Sequence, residues 1–386
     1  MPKMTNSLCF SAMNAPERCL WHQKEAMTES QQENYVSGLD PTELAALASA
    51  VYQNAGLSAQ DARLAADTLV QADLWGHQSH GLLRLGWYYA RLLSGAMKPV
   101  TNTTIEVDAG AIAVMDGHDG VGQVITKRAT LEAVQRARKH GVGVVSIRNS
   151  NHFGTCMYYT RMGAEQDCIM MLMSNAGPNM APWGGLKKKI GTNPWSIAVP
   201  GGPYGPIVMD MANSGVARGK IYLANKRREA IPDHWAIDSQ GKPTTDPRAA
   251  LEGFILPMAG HKGYVMGVMI DILSGVLSGS QFLDKVHGPY DPVNPSGAGH
   301  FMIALNVAAF QPLAEFYARI DEYIRSLKEV PLAAGHTQVF YPGEMEKLAD
   351  IKNRAQGLQL PQDTLSDVLR VAKEAGLGDI SLGRRA

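Results

Sequence analysis

The 386-residue chain is poor in cysteine: four, at positions 9, 19, 156 and 168, none in a Cys-x-x-Cys pair. That spacing excludes a zinc ribbon and a disulfide framework, and it predicts reduced thiols in a reducing compartment. An excess of one charge is also missing, since 36 Lys and Arg balance 36 Asp and Glu. A neutral chain has no general field for nucleic acid or an anionic membrane, so neither is expected as a partner. Long apolar runs are absent as well. The longest, Ile255 to Leu277, is interrupted by His261, Lys262 and Asp271, and a span needs about 20 uninterrupted apolar residues. Neither G-x-G-x-x-G nor G-x-x-x-x-G-K-[ST] occurs: Gly120-Val121-Gly122 and Gly141-Val142-Gly143 lack the third glycine. The usual dinucleotide fingerprint and the phosphate loop are therefore excluded. What remains, 45% apolar and 19% charged residues, is the composition of a globular enzyme, expected in the cytoplasm.

Residues 1–35 have no apolar core of a secretory signal and are not Arg-rich. They carry Glu17, Glu25, Glu29 and Glu33, against a transit peptide. The expectation is a disordered extension, or an over-called start with Met13 or Met27 as the true one. A tail wrapping a partner subunit is the other reading.

Order is expected from Asp40-Pro41-Thr42-Glu43, a helix start with an N-cap, proline at N1 and glutamate at N3. Helical spacing predicts further helices from Ser58 and over Leu82–Leu93. A hairpin is expected at Thr104–Val107 and Ile112–Met115, then a helix from Val121 to about Lys139. Strands are expected at Val142–Ile147, parallel to its neighbours, and at Cys168–Met173, Trp195–Val199, Ile207–Met211 and Phe301–Val307. Lys262–Leu277, apolar on every side, predicts a buried helix. Helices over Leu313–Lys328, Glu344–Gln356 and Gln362–Ala375 end the chain. Strands mixed irregularly with helices imply an α/β fold with a mixed sheet and a helical lobe.

Chemistry concentrates in Gly76-His77-Gln78-Ser79-His80-Gly81-Leu82-Leu83-Arg84. His80 at a helix entrance favours neutral imidazole, and Arg84, four residues on along the same helical face, can hold a carboxylate with two parallel hydrogen bonds. An acid/base histidine beside a carboxylate clamp suits a 2-hydroxy acid or 2-oxo acid. The plain alternative is a helix-end histidine satisfied by backbone and a solvated arginine. His152 follows a buried strand and is a second acid/base or substrate-orienting candidate, or a structural loop histidine. Asp210 ends an apolar strand; it orients a histidine, or it bonds backbone donors or a ribose. Lys262 opens a helix in a setting suited to phosphate, or else lies on the surface. A metal-dependent hydrolase using His77, His80, His152 and Asp210 is the reading from another class, and a non-catalytic binding protein is a third. No metal is expected.

Six segments in order, GHQSHGLLRL, NSNHFG, SNAGPNMAPWGG, IGTNPW, MDMANSGVARGK and GHKGY, resemble the type-two malate/L-lactate dehydrogenase family. The likeness runs from about Leu39 to Leu377. That family also holds ureidoglycolate, sulfolactate and diketogulonate enzymes and cyclic-imine reductases. The resemblance implies its non-Rossmann fold, NAD (or NADP) as cofactor, and a homodimer with the active site near the interface. The expected division is a helical lobe over 36–110 on the substrate and dimer side, a mixed-sheet NAD(P)-binding domain over 111–330, and a C-terminal helical segment over 331–386 packing back on the body. By the same resemblance His80 is the proton donor or acceptor with Ser79 beside it, and Arg84 is the carboxylate anchor. His152 is the second active-site histidine. Cofactor and substrate contacts fall on Ser174, Asn175, Thr192, Asn193, Met209, Asp210, Met211, Lys262 and Gly263, and on the Pro342-Gly343-Glu344 turn. Malate or L-lactate is the first expected substrate. A ureidoglycolate-type acid is the second, on the segment from Ile231 to Pro247, and a cyclic imine the third. Arg227 and Arg228 are candidates for a 2′-phosphate, or a solvated helix end.

Overall fold

The computed structural model describes residues 34–384; the expectations for the N-terminal extension lie outside the described residues, except at Asn34 and Tyr35. In chain order the elements are β1 (Tyr35–Leu39), α1 (Pro41–Asn54), α2 (Ala59–Leu74), the 3-10 turns Gln78–His80 and Leu82–Arg84, and α3 (Leu85–Ser94). Then follow β2 (Thr104–Ala109), β3 (Ile112–Asp116), α4 (Gly122–His140), β4 (Val142–Ser150), α5 (Met157–Ala164), β5 (Cys168–Ser174), β6 (Trp195–Val199) and β7 (Ile207–Met211). A side lobe holds α6 (Arg218–Arg227), β8 (Ala236–Ile237), α7 (Pro247–Glu252) and β9 (Phe254–Ile255). Finally come α8 (His261–Asp271), a π-helical turn (Ile272–Val276), β10 (Ala298–Asn306), α9 (Leu313–Lys328), α10 (Glu344–Gln356), β11 (Leu358–Pro361) and α11 (Gln362–Glu374).

Local chemistry sets the helix starts. The Asp40 carboxylate accepts the Thr42 N–H at 2.7 Å, and Pro41 takes the first position of α1. Ser58 Oγ accepts from Asp61 N–H at 3.1 Å and opens α2. Leu44, Leu47, Val51, Ala62, Ala65 and Leu69 then fill one core with Leu85 and Tyr88. Leu365, Val368 and Val371 of α11 join that core, so the chain's last helix returns to its first ones.

The main sheet has seven strands in the order β2-β3-β4-β10-β5-β6-β7. It is mixed, as expected. The expectation that Val142–Ile147 is parallel to its neighbours is half corrected: β4 is parallel to β3 and antiparallel to β10. One face is packed by α4 against β4 and β10 and by α5 against β5 and β6. Ala113, Val145, Ile147, Met170, Leu172, Met302 and Ala304 point into that core. The alternate positions Met171, Met173, Phe301 and Ile303 are only half-buried.

Two further expectations need correction. His80 and Arg84 do not share a helix face, because Gly81, at φ −88° and ψ −148°, breaks the run into two 3-10 turns ahead of α3. Lys262–Leu277 is not a buried helix. It is α8 plus the π turn, and Val265, Met266, Met269, Ile272, Val276 and Leu277 are exposed. Apolar residues all round require cover on every side, and this chain supplies it on one. The small sheet of β1 and β11 was not foreseen.

Candidate active site

The end of α2 and the start of α3 bring the first motif to the end of β4. The His80 and His152 rings stack at 5.7 Å between centroids, 25° apart in plane. Ser79 Oγ lies 2.9 Å from His80 Nδ1. Arg84 donates from Nε to the Ser79 carbonyl at 2.7 Å, and its guanidinium stands 5.0 Å from the Trp87 ring centre. Nε and one face are thus occupied, while the two terminal nitrogens keep the fork that matches a carboxylate. Ser79, His80 and Arg84 of the first motif and His152 of the second therefore form one cluster.

Tyr88, not anticipated from the sequence, completes it. Its hydroxyl lies 2.5 Å from His152 Nδ1, and the same nitrogen faces the Gly154 N–H at 3.2 Å. A backbone N–H can only donate, so Nδ1 is the acceptor of both and the proton of neutral His152 sits on Nε2. His80 is not locked in this way, because a serine hydroxyl can donate or accept. Loss of hydration, then the nearby Arg84 charge, holds both imidazoles well below the usual histidine range.

Behind His152, Phe153 stands edge-on to His300 at 4.7 Å. His300, fully buried on β10, bridges Ser174 Oγ at 2.9 Å and Ser150 Oγ at 2.7 Å. Burial pushes it down to about 3, so it is a neutral pin between the ends of β4 and β5. Nothing in the sequence marks it, because a buried strand histidine has no spacing signature. Asn151, beside His152, accepts from the buried Arg91 at 2.9 Å.

The other sequence-predicted residues fall in a second group. Asn175 donates to Asp271 at 3.1 Å and accepts from Gly299 N–H at 2.9 Å. Asn193 accepts from Ala176 N–H and donates to Gly267 O at 2.8 Å. Asn213 N–H donates to the Thr192 carbonyl at 2.9 Å, and its side chain donates to the Asn193 carbonyl. Gly263 packs on the same place: a β-carbon there would lie 2.7 Å from Asn213 O and 2.6 Å from Met258 O. Only glycine lets the start of α8 approach so closely. That helix begins at Gly260 with no side-chain cap, and Lys262 is exposed in its first turn. Along β7, Met209 and Met211 pair with Ile197 and Trp195, and the Pro342 carbonyl accepts from Val208 N–H at 3.0 Å. Gly343 packs over Val208, and Glu344 takes an ion pair from Lys328 at 2.6 Å.

Asp210 has taken the backbone option. Its Oδ2 accepts the Met157 N–H at 2.7 Å and caps α5, and burial pushes its carboxyl up to about 7. His77 pairs with Glu346 at 3.6 Å. The four residues of the hydrolase reading are therefore not gathered. Among the described residues no group of three or more His, Cys, Asp or Glu could hold a metal ion. No helix of these residues is long and apolar enough to cross a membrane.

Known proteins with this sequence pattern are numerous. The family profile described as malate/L-lactate dehydrogenase matches residues 39–369. The malate/(S)-sulfolactate dehydrogenase of Methanothermus fervidus is 35% identical over 339 residues, covering 88% of this chain and 98% of that protein. The NAD(+) ureidoglycolate dehydrogenase of Escherichia coli is 34% identical over 310 residues, covering 80% and 88%. The solved sulfolactate dehydrogenase of Methanocaldococcus jannaschii superposes with a TM-score of 0.83 at 37% identity, covering 88% of this chain and 98% of that one. Shared sequence over nearly the whole length of these enzymes, on the same mixed-sheet fold, establishes that the chain belongs to the malate/L-lactate dehydrogenase family and is an NAD(P)-dependent dehydrogenase acting on hydroxy acids.

Proposed function

We propose that the chain interconverts a 2-hydroxy acid and its 2-oxo acid, with malate or L-lactate as first substrates, and that His80 and His152 divide the work. The observation that carries the division is the shared acceptor at His152 Nδ1, which bonds Tyr88 and Gly154 together. With its proton fixed on Nε2, His152 is a neutral donor to the substrate oxygen, not a base. His80 can donate from Nδ1 to Ser79 Oγ, which frees the Nε2 lone pair to take the hydroxyl proton during oxidation. The terminal nitrogens of Arg84 hold the carboxylate and so fix the reacting carbon beside both rings.

The second group fits a dinucleotide. The uncapped start of α8 and Lys262 suit its phosphates, with Gly263 leaving room for the backbone. Ser174, Asn175, Thr192, Asn193, Met209, Met211 and the Pro342-Gly343-Glu344 turn are the further contacts. The bound nicotinamide would accept or supply the hydride. NAD is the first cofactor to test and NADP the second.

The names of the relatives favour a second substrate reading, a sulfonated or ureido-substituted 2-hydroxy acid. We place the enzyme in the cytoplasm, as a homodimer. The test is a panel of malate, L-lactate, sulfolactate and ureidoglycolate, their 2-oxo acids and a cyclic imine, against each nicotinamide cofactor. His80→Ala is expected to lower turnover by about 10²–10⁴-fold with the dinucleotide Kd unchanged. Wild-type turnover of cyclic imines alone would refute the reading.

A further inference from the structure

His80 and Arg84 are useful to one substrate only if their relation is fixed, yet no helix fixes it. Between them lie Gly81, Leu82 and Leu83, in a bend from one 3-10 turn to the next. The bend is held from outside by Asp73, in the last turn of α2 and only 3% exposed. Asp73 Oδ2 accepts the Leu82 N–H at 2.8 Å. Gly81 lies so close that a β-carbon there would stand 2.0 Å from Asp73 Oδ1. On the other side, Arg84 Nε closes on the Ser79 carbonyl. Residues 79–84 are thus clamped twice, by one contact inside the segment and one from α2.

The placement is costly. A carboxyl near a helix C-terminus, with little water, is disfavoured both by the helix dipole and by desolvation. The aspartates at the N-caps of α1 and α7, Asp40 and Asp246, lie in accessible positions. Asp73 has instead been put under the one bend that separates the acid/base histidine from the carboxylate clamp.

We propose that Asp73 is a positioning residue for the hydroxy-acid chemistry, an inference that rests on the roles given above to His80 and Arg84. Its carboxyl seats Gly81 and Leu82, and through them sets both side chains toward one substrate. Asp73 itself touches no reacting atom. Loss of the seat lets the two turns drift independently, and a displacement of about 1 Å at reacting groups costs on the order of 10²-fold in rate.

The experiment measures kcat, KM for the preferred 2-oxo acid, dinucleotide Kd and Tm in Asp73→Ser, Asp73→Asn and Gly81→Ala, each as the full chain. Serine is too short to reach Leu82, and the alanine methyl drives the bend off the carboxyl. Both are expected to lower kcat by about 10²-fold and to raise KM several-fold as Arg84 moves, with Kd unchanged. Asparagine keeps an acceptor for Leu82 and is expected to restore kcat to within about 5-fold. A merely structural role would lower Tm but leave kcat per folded molecule and KM where they are. Folded serine or alanine variants with wild-type kcat and KM overturn the proposal. If the wild-type chain turns over no 2-hydroxy or 2-oxo acid, the functional reading fails instead, and that result is seen before any variant is compared.

Discussion

Tyr88 Oη stands 2.5 Å from His152 Nδ1, and with the Gly154 N–H it leaves that nitrogen no choice but to accept. Tyr88→Phe removes one of the two donors. The remaining Gly154 contact preserves the tautomer, so a loss of about 10-fold in kcat/KM is expected, the scale of one hydrogen bond. Donors to Nδ1 favour the neutral ring, so their loss also raises the pKa of His152. The pH profile of the variant should therefore fall off at higher pH on its acid side than that of the wild type. An unchanged profile would show that Tyr88 does not govern the state of His152.

The Arg84 charge contributes to the low pKa of His80. A bound carboxylate cancels part of that charge, so binding should raise the His80 pKa. For oxidation, His80 must be unprotonated. The acid limb of kcat/KM, which reports the free enzyme, is expected well below the usual histidine value, and that of kcat, which reports the complex, at higher pH than the limb of kcat/KM. Coincident limbs would detach Arg84 from His80.

Arg84→Lys should separate acids from amides. Lysine offers no planar fork, and it loses the stack on Trp87. Charged hydrogen bonds are worth about 1.5–3 kcal/mol, so kcat/KM for a 2-oxo acid should drop by about 10–100-fold while its amide loses little. Equal losses would make Arg84 a support of the Ser79 loop and not the clamp.

How much of this was legible follows from how local each signal is. Asp40-Pro41 announces α1 because the cap and its partner lie two residues apart. The β6 and β7 strands were legible as apolar runs bounded by turn residues. His80, Arg84 and His152 were legible as chemistry, but the sequence suggested one helix where Gly81 makes a bend. Asp73 was not legible, since its partner Leu82 is nine positions on, through a turn with no periodicity. Tyr88 gave no local signal of its role, because its bond to His152 spans 64 positions. Lys262–Leu277 misled for a different reason: an all-round apolar helix says it will be covered, not by which chain.

Stability should peak near pH 6.5 and fall on the alkaline side. Burial pushes the Asp73 carboxyl up to about 8 and that of Asp210 up to about 7, against 3.8 unfolded. The native state then holds protons that the unfolded chain releases, so stability falls as pH rises from about 4 to about 8. His80, His152 and His300 act oppositely, because they stay neutral in the fold and charge when unfolded below about 6.5, so their share rises with pH up to that point. Above it the carboxyl slope remains. Tm is expected to drop by several degrees between pH 6.5 and pH 9, and by less in Asp73→Asn. A flat Tm over that range in the wild type would mean that neither carboxyl is held protonated.

Val265, Met269, Ile272 and Val276 lie three or four positions apart, on one side of α8 and its π turn, and about half of each is exposed. Beside them run the strands β5 and β10, whose alternate residues Met171, Met173, Phe301 and Ile303 are only half-buried. A helix stripe and a sheet face left open in the same region make an apolar patch of the kind that marks an interface. A two-fold copy is the commonest way to cover one. The same helix carries Lys262 and Gly263 at its start, so pairing there would steady the cofactor group. Met269→Asp is therefore expected to give a species with the mass of one chain by light scattering on size exclusion, with activity lost in proportion. The exposed Leu83, Trp87 and Leu93 near α3 offer the rival surface. If Leu93→Asp gives the single-chain species and Met269→Asp does not, the interface lies on α3. A fully active wild-type monomer would remove both.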